Sequence, residues 1–115
     1  MRGDSEDYLP LTEATFYVML SMAAERRHGY AILKDVKALS QGRVVLSTGT
    51  LYGALSRLLD AGLIECVEEE DAAEVGRPRK FYCLTHRGRR TMEAEVKRMS
   101  DLLAAAQPRL AQPEA

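Results

Sequence analysis

The residues of this chain best suited to contact another molecule lie in the segment 48–60. Placed on a helix at 100° per residue, Leu51, Leu55 and Leu58 fall on one side. The opposite side carries residues that are small or polar, namely Gly49, Thr50, Gly53, Ser56, Arg57 and Asp60. A helix face with so little bulk suits insertion into the major groove of duplex DNA, about 12 Å wide, where hydroxyls and a guanidinium meet base edges and phosphates.

An ordinary surface helix whose glycines serve packing is the alternative for this segment. Two exposed helical glycines cost about 1 kcal/mol each relative to alanine, which favours groove insertion. The tripeptide Thr48-Gly49-Thr50 does not predict a phosphate loop, because such loops need a second glycine and a lysine at set offsets.

Positive charge is concentrated in one stretch, although the whole chain has 16 Lys and Arg against 17 Asp and Glu, a formal charge of −1. Residues 65–75 hold six acids and no base, whereas residues 76–98 hold eight bases and two acids. Within this stretch Arg77, Arg79 and Lys80 adjoin a glycine and a proline, a turn suited to a phosphate backbone or a minor groove. A solvated turn is the alternative.

Catalysis and metal binding are not expected. His28 and His86 are far apart in sequence and have no Cys, Asp or Glu at metal-ligand spacing, and no nucleophile adjoins a base. We therefore predict that the chain is not an enzyme and has no cofactor or metal. His28 is interpreted as a cap or hydrogen-bond partner near Gly29.

The two cysteines allow two interpretations. A hairpin centred near residues 74–75 would place Cys66 roughly opposite Cys83 and permit a cross-strand disulfide that senses oxidation. The alternative is that both are small buried hydrophobic residues of a reduced protein.

Size and hydropathy limit the class of protein. A chain of 115 residues, 46% of them hydrophobic, accommodates one small globular domain. It has no run of about 18 apolar residues. Its first seven residues are acidic, whereas a signal peptide begins with a basic part that an apolar part follows. We expect neither a membrane span nor a signal peptide, and a cytoplasmic location.

The order of predicted elements is helix, helix, short strand, helix, hairpin, helix. Thr12 caps the first, buried helix, and the second helix has an apolar stripe from Ile32 to Leu39 and is ended by Gln41-Gly42. An extended piece at Val44 to Leu46 precedes the third helix, which is capped by Ser47 or Thr48 and ended by Gly62. The hairpin strands are 63–68 and 80–85, and the last helix is capped by Thr85 and ended by Pro108. This order predicts a mainly α (α+β) fold, a winged helix-turn-helix with a two-stranded wing and a C-terminal dimerisation helix. The expected divisions are a disordered tail 1–10, a winged helix 11–85, a dimerisation helix 86–107 and a disordered tail 108–115.

The last predicted helix carries an apolar seam. Met92, Val96, Met99, Leu103 and Ala106 are spaced by four and three residues, as in a coiled coil, so we assign the first four to a dimer interface. Methionines 19, 22, 92 and 99 either fill the core or line a ligand cavity between the first and last helices.

Several strings along residues 11–103 resemble one family, the PadR-type winged-helix transcription regulators. They are Leu11-Thr12-Glu13, His28-Gly29-Tyr30, Gly49-Thr50-Leu51-Tyr52, Arg57-Leu58, Gly62-Leu63-Ile64, Gly76-Arg77-Pro78-Arg79-Lys80-Phe81-Tyr82, Leu84-Thr85 and Gly88. The resemblance, to the short-form branch with one helix after the wing, implies a homodimeric bacterial repressor of a near-palindromic operator. It also implies release by a small hydrophobic or phenolic effector.

The resemblance also assigns site residues. It places DNA contacts at Tyr30, at Thr48, Gly49, Thr50, Tyr52, Ser56 and Arg57 of the third helix, and at Arg77, Arg79 and Lys80 of the wing. Tyr52 lies on the border between the two helix faces, so it is either a contact or a core ring. An effector would lie at Phe16, Met19, Val96 and Met99, although the chain lacks the tryptophan with which some relatives sandwich aromatic ligands. The alternatives are a winged-helix module that binds another protein, and a drug-binding protein with a residual DNA role.

Overall fold

The computed structural model describes residues 10–71 and 74–113, except the side chains of residues 70–78. The elements are α1 (Glu13–Ser21), β1 (Arg27–His28), α2 (Gly29–Leu39), α3 (Thr48–Asp60), β2 (Ile64–Asp71), β3 (Glu74–Leu84) and α4 (His86–Leu110). The three strands form an antiparallel sheet in the order β1-β3-β2. Four helices with this small sheet form the expected α+β winged helix.

Each helix begins at a residue whose side chain accepts a hydrogen bond from the first turn. Thr12, Ser47 and Thr85 do so with hydroxyl oxygens, which confirms the caps predicted for α1 and α4 and selects Ser47 over Thr48 for α3. His28 caps α2, its Nδ1 accepting from the Ala31 N–H at 3.3 Å. The predicted capping role of His28 is confirmed.

The turns after α2 and α3 use the left-handed backbone region. Gln41 and Gly42 have φ of 56° and 82°, and Gly62 has φ of 75°. The Leu63 N–H then donates to the Leu58 carbonyl at 3.0 Å, which closes the end of α3 and starts the hairpin. The predicted ends of both helices are confirmed.

The predicted short strand is wrong in place. Residues 44–46 are not a strand; Val44 and Leu46 pack against the core, and the Val44 N–H donates to the Ser40 hydroxyl. The strand that the sheet has in addition to the hairpin is β1, whose Arg27 and His28 lie opposite Tyr82 and Phe81 of β3. The sequence hides it because two polar residues paired to a sheet edge leave no hydrophobic period.

The predicted register of the hairpin is also wrong. Cys66 lies opposite Tyr82, and Cys83 lies opposite Glu65, so the two cysteines differ by one register position and their side chains point to opposite faces. Both are free thiols, and Cys66 is exposed rather than buried. The Cys83 thiol instead donates to Glu65 Oε2 at 3.8 Å.

The core lies where α1, α2, α3, the base of the hairpin and the first half of α4 meet. Its buried residues are Val18, Met19, Met22, Ile32, Val36, Leu51, Leu55, Leu58, Leu63, Ile64, Tyr82 and Met92. The core interpretation is therefore right for three of the methionines, whereas Met99 stays exposed.

Helix α4 is anchored at its start and extends beyond its predicted end. A Cβ on Gly88 would lie 1.9 Å from the Leu63 carbonyl oxygen, so only glycine permits this approach. The helix continues through Pro108 to Leu110, which corrects the end predicted at residue 107. Residues 99–113 are all exposed, so water can hydrate the carbonyl that Pro108 leaves without a donor. Residues 1–9, 114 and 115 of the predicted tails lie outside the described residues.

Among the helices that the structure describes, none has the length and apolar content needed to cross a membrane.

Candidate nucleic-acid interface

The exposed face of α3 has little bulk, and packing within the protomer does not account for its glycines. Thr48, Gly49, Thr50, Ser56 and Arg57 are all exposed. A Cβ on Gly49 would have no neighbour within 4 Å in the described part of the chain, and a Cβ on Gly53 would meet only the Arg57 guanidinium, at 3.6 Å. The absence of side chains here therefore leaves space on the outside of the molecule.

Tyr52 joins α3 to the start of α2. A Cβ on Gly29 would lie 2.2 Å from the Tyr52 hydroxyl oxygen, so the ring lies directly over this glycine. Tyr52 is nevertheless 46% exposed. It is therefore neither a core ring nor a free surface side chain, and its hydroxyl lies at the junction of the two helices.

A cleft of about 290 Å³ beside this junction brings together four of the predicted contact residues. Tyr30, Tyr52, Arg79 and Lys80 line it with His28, Gly29 and Tyr82. The four predicted contact residues come from α2, α3 and β3, so the fold assembles them from three separate parts of the sequence. Phenol hydroxyls beside two cationic side chains form a surface suited to a phosphate group.

Lys34 is a further cation close to Tyr30. Tyr30 is 65% exposed, and the Lys34 Nζ lies 5.5 Å from its ring centroid. Lys34 was not singled out from the sequence, and its spacing of one helical turn from Tyr30 is the signal that could have found it.

The base of the wing is held by Arg26, which sequence reasoning also missed. Its guanidinium lies 5.4 Å from the Phe81 ring centroid and forms an ion pair with Glu69 of β2. The His28 ring packs edge to face on the same Phe81, at 5.8 Å between centroids. Part of the acidic run thus neutralises a cation at the wing.

The other predicted DNA contacts are distributed differently. Ser56 and Arg57 lie on the exposed face of α3 further from the cleft, and Arg57 lines a second cleft with the segment 10–12. The Arg77 side chain lies outside the described residues.

The predicted dimer seam separates into buried and exposed parts. Met92 lies in the protomer's own core and is not available to a partner, which corrects its assignment. Val96, Met99 and Leu103 are exposed, and Leu102 and Leu110 extend the apolar stripe. Met92 is buried because the first half of α4 packs on β3 and α1, and the sequence period does not reveal where the protomer's own core ends.

The predicted effector residues do not share one cavity. Phe16 and Met99 line a cleft of about 280 Å³ with Leu11, Glu13, Tyr17, Glu95 and Arg98. Val96 lines a different, mostly apolar cleft with Leu20 and Leu84. Met19 is fully buried in the core, which corrects its assignment to a ligand site.

Glu95 is a buried carboxylate, 1% exposed, that sequence reasoning missed. Its Oε1 accepts from Arg98 Nε at 2.7 Å, and its Oε2 accepts from Arg98 Nη2 and the Leu11 N–H, each at 3.0 Å. The Arg98 guanidinium, with the Leu11 N–H, lowers the pKa of this carboxyl below its ordinary value although burial opposes the shift. Its place on the apolar stripe between Met92 and Met99 is the signal that could have found it.

This pKa shift predicts an acid-dependent loss of stability. Because the folded-state pKa of Glu95 is depressed, its contribution is present above the unfolded-state pKa and is lost as the pH falls through the folded-state pKa. The Glu95→Gln protein is therefore expected to lose less free energy of unfolding between pH 7 and pH 3 than the wild type. Urea unfolding at several pH values measures both curves, and parallel curves would contradict the assignment.

Among the side chains that the structure describes, no three from His, Cys, Asp or Glu come together as a metal site.

The combination of a capped, small-residue α3, a three-stranded wing and a protruding α4 matches one known group of proteins. The model of the Transcriptional regulator PadR-like family matches residues 18–94. The chain belongs to the PadR-like family. Members of the PadR-like family are transcriptional regulators and not enzymes, in agreement with the expectation from the sequence.

Solved PadR-like structures share this fold. A PadR family transcription regulator from Clostridium difficile R20291 is similar with a TM-score of 0.71 and 22% identity, over 87% of this chain and 100% of that chain. A PadR-like transcription factor from Bacteroides fragilis has a TM-score of 0.60 and 28% identity, over 79% and 86% of the two chains. Bacillus subtilis PadR, solved in complex with operator DNA, has a TM-score of 0.62 and 18% identity, over 71% of this chain and 45% of that chain.

A curated relative is also similar in sequence. It is an uncharacterized 37.1 kDa protein in transposon TN4556 of Streptomyces fradiae, 39% identical over 90 residues. The match covers 78% of this PadR-like chain and 24% of the relative, so the chain spans about a quarter of that protein's length.

Proposed function

We propose that this PadR-like chain is a DNA-binding repressor that reads a near-palindromic operator as a homodimer. The observation that carries the proposal is the exposed face of α3, where Gly49 and Gly53 leave space that the protomer's own packing does not use. A helix capped by Ser47 and flanked by a wing can insert that face into a major groove. Bacillus subtilis PadR, which shares the fold, has been solved with operator DNA.

The cleft beside α3 supports the placement of the DNA backbone. Tyr30, Tyr52, Arg79 and Lys80 lie at its walls, next to the edge of α3 that would face the groove. Phosphate contacts from such residues fix the register of a recognition helix, while side chains such as Thr50 and Arg57 read base edges. Arg77 is assigned to the same role from its place in the wing sequence.

Helix α4 supports the dimer. One i+3/i+4 stripe runs from Gly88 and Met92, which are buried in the protomer, to Met99, Leu103 and Leu110, which are exposed. The protomer therefore covers the first half of the stripe and leaves the second half bare. A second copy that covers this half would set the two α3 helices about 34–36 Å apart, one turn of DNA.

The cleft at Phe16, Tyr17 and Met99 supports an effector site for a small hydrophobic or phenolic molecule. It lies between α1 and α4, so a ligand there contacts the helix that sets the spacing of the dimer. Such a ligand releases DNA only if it binds the other spacing better, because equal affinity for both conformers shifts no population.

Selection of duplexes from a random DNA pool by the full chain tests the proposal. We expect enrichment of one inverted repeat, whose affinity falls by about 10³-fold between 50 and 200 mM salt because bound cations release counterions from phosphates. A module that binds only another protein would enrich no sequence, and that result would overturn the proposal.

Arg79→Ala is expected to weaken operator binding about tenfold and to lower the salt slope by about one, because it removes one phosphate contact. Fluorescence anisotropy at several salt concentrations measures both quantities. Lys37→Ala, on the exposed last turn of α2, is the matched control for loss of one positive charge. Equal slopes for the two variants would contradict the role of Arg79.

A further inference from the structure

The segment 10–12 connects two helices that have different roles in the proposed function. On one side, the Leu11 N–H donates to Glu95 Oε2 of α4 at 3.0 Å. On the other, Pro10, Leu11 and Thr12 line a cleft with Arg57 and Leu58 of α3. The Leu11 side chain is half-buried and packs against the core. A short piece of chain thus lies between the dimerisation helix and the recognition helix.

The carboxylate that attaches this segment to α4 has a defined orientation. The Glu95 carboxylate is held by two hydrogen bonds from one guanidinium, Arg98 Nε to Oε1 and Arg98 Nη2 to Oε2. Hydrogen bonds between charged partners are stronger than those between neutral ones, and a bidentate pair fixes the direction of the carboxylate. Besides the hydrogen bond from Arg98, Glu95 Oε2 accepts a hydrogen bond from the Leu11 N–H. The segment 10–12 is therefore tied to α4 by a hydrogen bond to a charged acceptor.

Leu11 also lies between two clefts. It lines the cleft at Phe16, Tyr17 and Met99 as well as the cleft at Arg57 and Leu58. Leu11 is therefore the residue that lies between the cleft at Met99 and α3. Its main-chain N–H is the group that Glu95 holds.

We propose that Glu95 is a positioning residue for DNA recognition, holding Leu11 so that the direction of α4 fixes the position of α3 and hence the spacing of the two recognition helices. This inference rests on the proposed function, since it requires a dimer that reads two half-sites. Glu95 itself touches no DNA. Gly88 still anchors the start of α4 beside Leu63, so loss of the hold on Leu11 lets the rest of α4 change its direction relative to α3, and the dimer accepts operators of more than one spacing.

The test is the spacing preference of the Glu95→Met protein, whose side chain has no oxygen to accept from the Leu11 N–H. The probes are duplexes carrying the inverted repeat that the wild type selects, with the half-site separation unchanged or altered by one or two base pairs. We expect the ratio of affinities between the correct and altered spacings to fall about tenfold in the variant, within the usual size of coupling between sites. A residue that only stabilises the fold would lower the melting temperature and leave this ratio unchanged.

Asp101→Asn is the matched control, since it removes a carboxylate of the same helix that pairs with Lys97 on the exposed surface. Its spacing ratio should equal that of the wild type. If Glu95→Met alone does not fold, Glu95→Met with Arg98→Leu replaces the whole buried ion pair by apolar side chains, a change that proteins often tolerate, and still removes the acceptor of the Leu11 N–H.

Two outcomes separate this inference from the proposed function. Failure of the wild type to enrich any duplex overturns both. Enrichment by the wild type together with an unchanged spacing ratio in the folded variant overturns the positioning role alone.

Discussion

Gly53→Leu is expected to make the protein more stable and to abolish operator binding. Leucine is favoured over glycine inside a helix by nearly 1 kcal/mol, and among the described residues a Cβ at this position meets only the Arg57 guanidinium, at 3.6 Å. The same side chain projects from the face of α3 that is proposed to enter the groove, where its bulk prevents the approach of the helix to base edges. We expect a loss of affinity of at least about 100-fold, since such a loss corresponds to about two good base contacts.

Chemical unfolding and fluorescence anisotropy measure the two effects separately. Ala38→Leu is the matched control, because it adds a similar side chain at an exposed position of α2. It should leave operator affinity unchanged. If Gly53→Leu binds the operator as well as the wild type does, the proposed recognition face is contradicted, whatever the change in stability.

Leu103→Asp is expected to convert the dimer to monomers and to lower operator affinity on the order of 1,000-fold. Leu103 is 56% exposed and belongs to the part of α4 that makes no buried contact within the described protomer. A buried unpaired carboxylate in the seam disfavours association, whereas the folded protomer keeps its core. Without the partner each α3 binds one half-site, and the gain from two linked binding events is lost.

Sedimentation or light scattering gives the oligomeric state, and anisotropy gives the affinity. Ala105→Asp introduces the same charge on the opposite side of α4, about 200° around the helix from Leu103, at a position that is also exposed, and should leave both quantities unchanged. A wild type that is monomeric at working concentrations, or a Leu103→Asp protein that remains dimeric, would contradict the proposed seam.

The local signals in the sequence were sufficient for most elements. Thr12, His28 and Thr85 were correctly placed as helix caps, and Gly42 and Gly62 as helix ends, because a cap depends on a few adjacent residues and their backbone angles. Contacts between distant segments were harder to predict. The register that separates Cys66 from Cys83 and the pairing of Arg27 with Tyr82 depend on loop length and on the sheet edge left free, neither of which has a periodic signal.

Burial along α4 shows the same limit. The i+3/i+4 stripe predicted one apolar face correctly, yet it gave Met92 and Leu103 the same role, whereas one is in the core and the other is exposed. The length of α4 beyond Pro108 was missed because a proline in an exposed last turn removes only one hydrogen bond.

The amino-acid sequence by itself determined the order of the four helices and the hairpin, the small-residue face of α3 and the membership of a regulator family, since these follow from periodicity, caps and short motifs. Only the tertiary structure decided that Tyr30, Tyr52 and Arg79 share one cleft, that Tyr52 lies over Gly29, and that Glu95 holds Leu11. The physical reason is that each of these contacts joins residues far apart in the chain, whose distance is set by how the core packs.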